Sequence, residues 1–294
     1  MLEFKKPEIE DKSWVDEITK NTAKSCEFSF GNIFIWADIY NTKIARFNNS
    51  LILRYKVDSE YSYSFYNTGD LVPLIGELIE NSKKHNQVLR IYGLSKEEKE
   101  QLENEMPDAF EITEMRDFFD YVYKTDDLIN LSGRKYHQKR NHISYFMNNY
   151  EWEYESINES NIEECRLFNS QWERHNSSKN PDELSDENKA IQTALDNFSS
   201  LGFVGGLLRV NGKIEGYTLG EPLSKEMFCT HIEKANADMR GAYPMINQQF
   251  AENELSSYKY VDREDDTGSD GLRQAKLSYH PEFLIESYFA RYKK

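Results

Sequence analysis

The stretch that decides the fold is residues 203–219, FVGGLLRVNGKIEGYTL. Two runs of β-forming residues flank Asn211-Gly212, and both of these residues accept the left-handed backbone angles that a two-residue hairpin turn requires. The sequence therefore predicts strands from Phe203 to Val210 and from Lys213 to Leu219, joined by a tight turn.

The residues after this hairpin predict a strand, a helix and a second strand. Their expected ranges are Met227–Glu233, Tyr243–Leu255 and Lys259–Asp262. Since a helix between two strands of one sheet normally makes those strands parallel, the hairpin and this unit together predict a mixed sheet with helices on both faces.

The first half of the chain shows the same order. A hairpin signal at Asn48-Asn49-Ser50 is followed by strand Tyr61–Tyr66, helix Leu71–Lys84 and strand Val88–Tyr92. This order predicts an internal repeat and resembles the GCN5-related N-acetyltransferase (GNAT) fold, present twice in tandem. We therefore expect an α/β (α+β) protein with two GNAT-like domains, 1–127 and 128–294, and a cleft between them. The first domain is expected to be structural support, and the second to hold the active site.

The composition of the chain disfavours several classes of function. Asp and Glu outnumber Lys and Arg 51 to 36, and the net charge of −15 opposes general binding to nucleic acids or anionic membranes. No apolar run approaches the roughly 18 residues of a membrane span, and the N-terminus lacks the apolar core of a signal peptide. Three widely spaced cysteines suit a reducing cytoplasm. The sequence has no clustered metal-ligand motif, so we expect no metal.

A basic stretch follows the predicted boundary. Residues 128–150, LINLSGRKYHQKRNHISYFMNNY, contain no acid and predict a helix from about 133 to 148 with Ser132 as its N-cap. Lys135, Lys139 and His142 would share one face of that helix. Two roles are open for the cations of this stretch. They either neutralise neighbouring acidic residues or bind the phosphate or carboxylate group of an anionic ligand. The candidate ligand-binding cations are Arg134, Lys135, Lys139 and Arg140.

A second charged stretch lies near the C-terminus. Residues 258–284, YKYVDREDDTGSDGLRQAKLSYHPEFL, predict a strand, a glycine-containing turn and a helix that Pro281 ends. The charges form either a solvated acidic loop or a rigid turn whose side chains face a cleft.

Together, LSGRKYHQKRNHISYF (131–146) and EDDTGSDGLRQAKLSYHPEFL (264–284) resemble the bacterial family named for the C-terminal domain of phosphatidylglycerol lysyltransferase. The resemblance covers nearly the whole chain. It implies a tandem acyltransferase-like fold, whose characterised members move an aminoacyl group from aminoacyl-tRNA to a lipid headgroup. Similar tandem folds in peptidoglycan cross-bridge enzymes move it to an amine on a cell-wall precursor, and many family members have no assigned activity.

The resemblance also implies site residues. The acid-turn-GLR-xx-K segment lies beside the family's active site, which points to Asp266, Arg273 and Lys276. The lysyltransferases have a large membrane-spanning half that this sequence lacks. The acceptor therefore stays open between a lipid headgroup and a soluble amine or hydroxyl.

Aminoacyl transfer requires specific groups, whatever the family. Asp265 or Asp266 would hold the α-ammonium group or act as a base, and Arg273 would hold a carboxylate or phosphate. Lys276 would stabilise developing negative charge. His231, on a strand beside Glu233, is a lesser ligand-binding candidate, since a lone histidine there is more often structural.

A CoA-binding turn is only partly present. Arg240-Gly241-Ala242 is a remnant of the glycine-rich turn that cradles pyrophosphate, and Pro244 removes an N–H donor. We therefore expect no cofactor, with acetyl-CoA the less favoured option. The leading hypothesis is a cytoplasmic aminoacyltransferase that uses aminoacyl-tRNA. The alternatives are an acetyl-CoA-dependent N-acetyltransferase and a non-catalytic protein that binds a small anion. The sequence does not define an oligomeric state.

Overall fold

The predicted hairpin at residues 211–212 is present in a computed structural model, which describes residues 2–20, 25–176 and 181–293. Val210 pairs with Lys213, and Asn211 and Gly212 have φ angles of 49° and 76°. Both values lie in the left-handed region, which Gly and Asn enter at the lowest steric cost. The turn predicted from the Asn-Gly pair is therefore confirmed.

The chain forms two compact units. The first consists of residues 1–120, 265–270 and 284–294, and the second of residues 121–264 and 271–283. The domain boundary expected between residues 127 and 128 stays a prediction.

The helices and strands are numbered in chain order. The helices are α1 (Lys12–Thr19), α2 (Phe30–Tyr40), α3 (Leu71–Lys84), α4 (Lys96–Glu105), α5 (Thr125–Asn130), α6 (His137–Asn149), α7 (Ile162–Asn176), α8 (Pro181–Asp196), α9 (Phe198–Leu201), α10 (Ala242–Asn253) and α11 (Asp270–Leu277). The strands are β1 (Lys43–Phe47), β2 (Ser50–Val57), β3 (Glu60–Tyr66), β4 (Arg90–Leu94), β5 (Phe110–Glu114), β6 (Asp120–Lys124), β7 (Trp152–Ser156), β8 (Val204–Val210), β9 (Lys213–Pro222), β10 (Met227–Ala235), β11 (Tyr260–Asp262), β12 (Phe283–Ile285) and β13 (Tyr288–Tyr292).

The first unit is built on a six-stranded sheet in the order β1-β2-β3-β4-β13-β5. Strands β3 and β4 are parallel, and α3 connects them. Leu71, Leu74 and Leu78 recur at helical spacing on α3 and are fully buried in a core that also contains Tyr63 and Ile91. Burial of this apolar stripe holds the helix on the sheet.

The second unit contains most of a seven-stranded sheet in the order β12-β6-β11-β10-β9-β8-β7. Here β10 and β11 are the parallel pair, and α10 connects them. The rings of Phe228 on β10 and Phe250 on α10 meet edge to face with centroids 5.8 Å apart. The predicted mixed sheets are therefore confirmed, each with one helix-connected parallel pair.

Several boundaries differ from expectation. The basic helix begins at His137 instead of 133, because Arg134–Tyr136 forms a separate 3₁₀ turn. Ser132 is not its cap, since Gly133 precedes that turn with a φ of 85°. Strand β13 was not predicted, because its place between β4 and β5 depends on partners far away in sequence.

Among the helices that the structure describes, none combines the length and the apolar character needed to cross a bilayer.

Candidate active site

A group of charged side chains lies where the two parallel strands of the second unit part. The pairing of β10 with β11 ends at Cys229 and Asp262, although β10 continues to Ala235. The two residues that follow β11 are Arg263 and Glu264, and their side chains reach the continuing part of β10. Ligands of open α/β sheets bind outside the carboxyl ends of such strands. We call His231, Glu233, Arg263 and Glu264 the strand-end cluster.

His231 is buried between two carboxylates. The register between β9 and β10 shifts at this residue, which is the mark of a β-bulge. Its Nδ1 donates to Glu264 Oε1 at 2.7 Å and its Nε2 donates to Glu221 Oε1 at 3.2 Å. Burial alone lowers the pKa of His231, but the Cys229 sulfur and the two glutamates raise it well above its ordinary value. The ring is therefore an imidazolium at neutral pH.

Arg263 is paired with Glu233, two residues further along β10. Arg263 Nη2 donates to Glu233 Oε1 at 2.8 Å, and Asn247 on α10 donates to the other carboxylate oxygen at 2.9 Å. The guanidinium also lies 4.8 Å from the centroid of the Tyr279 ring. An ion pair with these additional partners is held in one geometry.

Lys139 on α6 faces the same ring. Its Nζ lies 3.7 Å from the Tyr279 ring centroid. Burial and the positive charge of Arg263 together lower the pKa of Lys139 to about 8, with Glu233 acting in the opposite direction. Lys139 is therefore mostly protonated at neutral pH but poorly solvated, which strengthens its interaction with an anion.

The basic stretch and the C-terminal charged stretch meet within the second unit. The Tyr136 hydroxyl donates to the Tyr279 carbonyl at 2.9 Å, and the rings of Tyr136 and His280 meet edge to face at 5.4 Å. Through these contacts the sequence after α11 lies against α6, which brings Lys139 next to the strand-end cluster.

The other predicted cations of the basic stretch have different surroundings. Arg140 donates to the carbonyls of Leu131 and Gly133, so it ties down the chain before α6. Lys135 is exposed and forms an ion pair with Asp127 at 3.5 Å. Arg134 is exposed in the 3₁₀ turn.

Lys276 is a buried residue of α11, 8% exposed. Its Nζ donates to the backbone carbonyls of Arg263 and Glu264. This arrangement makes Lys276 a residue that positions the chain carrying the strand-end cluster. Arg273 lies one helical turn earlier and is partly buried.

Asp265 and Asp266 belong to the first unit. Asp266 is fully buried, accepts from the Gly268 N–H at 3.0 Å and forms an ion pair with Arg116 at 3.5 Å. Asp265 accepts from the Thr267 N–H at 3.0 Å. Both carboxylates therefore stabilise the turn at 265–270.

Sequence reasoning did not select Glu221, Glu233, Arg263 or Glu264 as site residues. A signal was nevertheless present. His231 and Glu233 are two positions apart on one strand, and alternation along a strand places such residues on one face. Arg263 and Glu264 follow β11 and Glu221 lies on β9, so their contacts with β10 could not be assigned without the register of the strands.

Comparison with known proteins defines first the class of fold. A tandem GNAT protein from the clavulanic acid biosynthesis pathway superposes with a TM-score of 0.51 at 9% identity, covering 99% of this chain and 98% of that one. The expected tandem GNAT-like fold is confirmed.

The family of the chain is identified from its sequence. Residues 20–291 match the profile of "Phosphatidylglycerol lysyltransferase, C-terminal", and the chain belongs to this family, as its motifs predicted.

Individual relatives add detail. A conserved protein of unknown function from Bacteroides thetaiotaomicron is 36% identical over the full length of both chains, with a TM-score of 0.95. L-PGS from Bacillus licheniformis gives a TM-score of 0.69 at 13% identity, covering 99% of this chain and 93% of that one. An uncharacterized protein of Mycoplasmoides gallisepticum is 28% identical over 177 residues, which is 58% of this chain and 55% of that protein. The chain thus spans about half the length of this curated relative.

Proposed function

We propose that this protein is an aminoacyltransferase that moves an aminoacyl group from aminoacyl-tRNA to an amine or hydroxyl acceptor. The observation that carries the proposal is the placement of Lys139, a poorly solvated cation held over Tyr279. It lies beside the Arg263–Glu233 ion pair at the carboxyl end of a parallel strand. Membership in the lysyltransferase family supports the same reaction class.

The reaction explains why such a cation is needed. The acceptor nitrogen or oxygen attacks the ester carbonyl carbon, and the bond from that carbon to the tRNA ribose oxygen breaks. The ribose oxygen takes up the proton that the acceptor loses. Negative charge develops on the carbonyl oxygen during the attack, and a fixed cation in a site shielded from water stabilises it. We assign this role to Lys139.

The remaining predicted residues fit around this step. Arg134 and Lys135 are exposed at the start of the basic stretch and suit the phosphates of the tRNA acceptor end. The net charge of −15 confines tRNA contact to this surface. Asp266, Arg273 and Lys276 stay predicted site residues, and the acceptor stays open between a lipid headgroup and a cell-wall precursor.

The test is a transfer assay. Bacterial tRNA charged with a mixture of radiolabelled amino acids is incubated with the protein and with phospholipid vesicles or soluble amine acceptors. We expect label to move from tRNA to one acceptor class. Lys139→Gln should lower kcat by about 100-fold, the usual loss when one oxyanion donor is removed. Lys83→Gln is the matched control, because Lys83 is an exposed lysine of the first unit paired with Glu80.

Two results would overturn the proposal. One is the absence of transfer to every acceptor, which would favour a binding protein without catalysis. The other is acetyl transfer from acetyl-CoA in a parallel incubation, with the same acceptors and no tRNA.

A further inference from the structure

One face of helix α6 continues beyond Lys139 and carries residues that the reaction scheme above does not use. His142 and Tyr145 follow Lys139 at intervals of three residues, so the three side chains are successive neighbours along the helix. Tyr145 is 37% exposed, and it lies about 9 Å further along the helix axis than Lys139. The face therefore leads from the proposed reaction site to an exposed aromatic ring.

Arg240, in the turn before α10, lies over this ring. Its guanidinium carbon is 4.5 Å from the centroid of the Tyr145 ring, and both side chains are exposed. The turn is in close contact with α6 at Gly241, because a Cβ atom added there would lie 2.3 Å from the His142 carbonyl oxygen. The φ of Gly241 is 95°, in the left-handed region that favours glycine. Backbone contact thus holds Arg240 beside Tyr145.

The charged groups along this face are cationic. Within the described residues, neither Lys139 nor Arg240 has a carboxylate at ion-pair distance, and residues 128–150 contain no acid. Burial and the positive charges of Arg240 and Lys139 lower the pKa of His142, so its ring is neutral at neutral pH.

Two acids of the second unit lie in the same region, and each contacts a basic residue. Glu233, whose charge acts on Lys139, pairs with Arg263 at 2.8 Å. Asp238, two residues before Arg240, lies 3.6 Å from His175. The face therefore presents an aromatic ring and cations to a partner that has both flat rings and negative charge.

These groups are the ones that bind single-stranded nucleic acids. Aromatic rings and arginine guanidinium groups stack on unpaired bases, and cations hold the phosphates between them. The bases of a double helix are already stacked on each other, so a duplex does not make the same contact. The end of a tRNA that carries the aminoacyl ester is single-stranded, and in the proposed reaction that ester must reach Lys139.

We propose that Tyr145 and Arg240 bind the unpaired nucleotides at the 3′ end of the donor tRNA by base stacking, so that the terminal ester lies at Lys139. This inference rests on the proposed function and names the part of the tRNA that the site recognises. It also gives Arg240 a role other than the binding of a CoA pyrophosphate.

The test measures RNA binding separately from transfer. The probe is a short fluorescein-labelled single-stranded RNA that ends in CCA, as tRNAs do. It is titrated with the full chain at one fixed salt concentration, and binding is followed by fluorescence anisotropy. We expect the single strand to bind and intact tRNA to compete with it. A tRNA whose unpaired 3′ nucleotides have been removed should compete much less.

Two variants remove the stacking groups. Tyr145→Ala and Arg240→Gln should each raise the Kd of the RNA by about 5- to 150-fold, the range for loss of one base-stacking side chain. Tyr145→Phe keeps the ring and should stay within about twofold of wild type. The matched controls lie in the first unit. Tyr40→Ala removes an exposed tyrosine, Arg46→Gln removes an exposed arginine that lies over the Trp14 ring, and neither should change the Kd.

Three outcomes would overturn the inference. They are no binding of the single strand, an equal Kd for wild type and the two variants, and equal competition by tRNA with and without its unpaired 3′ end. A loss of binding in Tyr145→Phe as large as that in Tyr145→Ala would also overturn it, because the hydroxyl group and not the ring would then make the contact.

The transfer assay separates this inference from the proposed function. Tyr145→Ala should raise the KM for aminoacyl-tRNA, whereas Lys139→Gln lowers kcat. If transfer occurs and the RNA-binding results are negative, only the inference fails. If the RNA binds as expected and no transfer occurs, the proposed function fails and the surface of Tyr145 and Arg240 stands as an RNA-binding site.

Discussion

The two units repeat one topology but differ at the place where chemistry would occur. In the first unit helix α3 connects the parallel strands β3 and β4, and in the second unit helix α10 connects the parallel strands β10 and β11. In both sheets an antiparallel strand lies on the far side of the second member of the pair, β13 beside β4 and β6 beside β11. The scaffold is thus duplicated, and the difference lies in the side chains at the strand ends.

The end of β4 serves structure. Gly93 and Leu94 lead directly to Ser95, which caps α4 and forms a reciprocal capping box with Glu98. Near this strand the hydroxyls of Tyr55 and Ser64 share a 2.7 Å hydrogen bond, and the Glu27 carboxylate lies close to Gly93. Burial raises the pKa of Tyr55 far above its ordinary value, so that side chain stays uncharged. The end of β11 instead has two paired contacts between side chains of opposite charge, His231 with Glu264 and Arg263 with Glu233.

The largest expected effect is on stability, from His231→Phe. The substitution removes the imidazolium between Glu221 and Glu264, and breaking a buried charge pair costs about 3–5 kcal/mol. Urea denaturation should report this loss. The matched control is His85→Phe in the first unit, where His85 is exposed against the Tyr61 ring, and the change should be below about 1 kcal/mol. Equal losses in the two variants would contradict the account.

Lys276→Met should have the next largest effect. It removes donors from the carbonyls of Arg263 and Glu264, at a cost of about 2 kcal/mol. Lys83→Met, at an exposed position, should cost less than about 0.5 kcal/mol. A Lys276 variant as stable as wild type would show that the strand-end geometry does not depend on this side chain.

Ser95→Ala should separate structure from activity. Loss of the cap on α4 lowers stability by about 1 kcal/mol. Because Ser95 follows the strand end without the charged cluster, kcat for aminoacyl transfer should not change. A drop in kcat at a temperature where the variant is fully folded would assign the first unit a part in the reaction.

The smallest effect is a dependence of stability on pH. The pKa of His231 in the folded protein lies well above its ordinary value of 6.5. Its protonation therefore contributes stability that is complete below pH 6.5 and is lost as the pH rises through the folded pKa. Lys139 has the opposite effect, because its pKa is lowered to about 8 in the folded protein. Its contribution makes the folded protein more stable as the pH rises from about 8 to 10.5.

The difference between the stability curves of wild type and His231→Gln isolates the histidine. Both proteins retain Lys139, so its contribution cancels. The difference should be constant below pH 6.5 and should shrink as the pH rises through the folded pKa of His231. A difference that grows with pH would mean that His231 is neutral in the folded protein.

The sequence predicted the fold more fully than the site, for physical reasons. Local patterns suffice for the Asn211-Gly212 turn and for the apolar stripe of α3, and these fix the repeated topology. The family motifs pointed to the basic stretch and to residues 258–284, and the structure shows that these two stretches are in contact. The partners of His231 could not be read from either stretch. Glu221 lies on β9, and its approach to His231 depends on strand register and on a bulge.

The particular acids and cations also differ in ways that composition does not reveal. Asp266 and Arg140 carry the same formal charges as Glu264 and Lys139, but the first two contact backbone groups of their own turns. Burial and hydrogen-bond partners decide which charge is available to a ligand, and these depend on the tertiary structure.

The most direct test of the central claim is protection of Lys139 from an amine-reactive reagent. Peptide mass spectrometry would quantify its labelling at pH 8, close to its pKa of about 8, with and without aminoacyl-tRNA. Lys83 serves as the internal control for reagent concentration. The account predicts that aminoacyl-tRNA protects Lys139, that uncharged tRNA protects it less, and that labelling of Lys83 does not change. Labelling of Lys139 that is the same with and without the charged tRNA would contradict the assignment of the donor ester to the site beside Lys139.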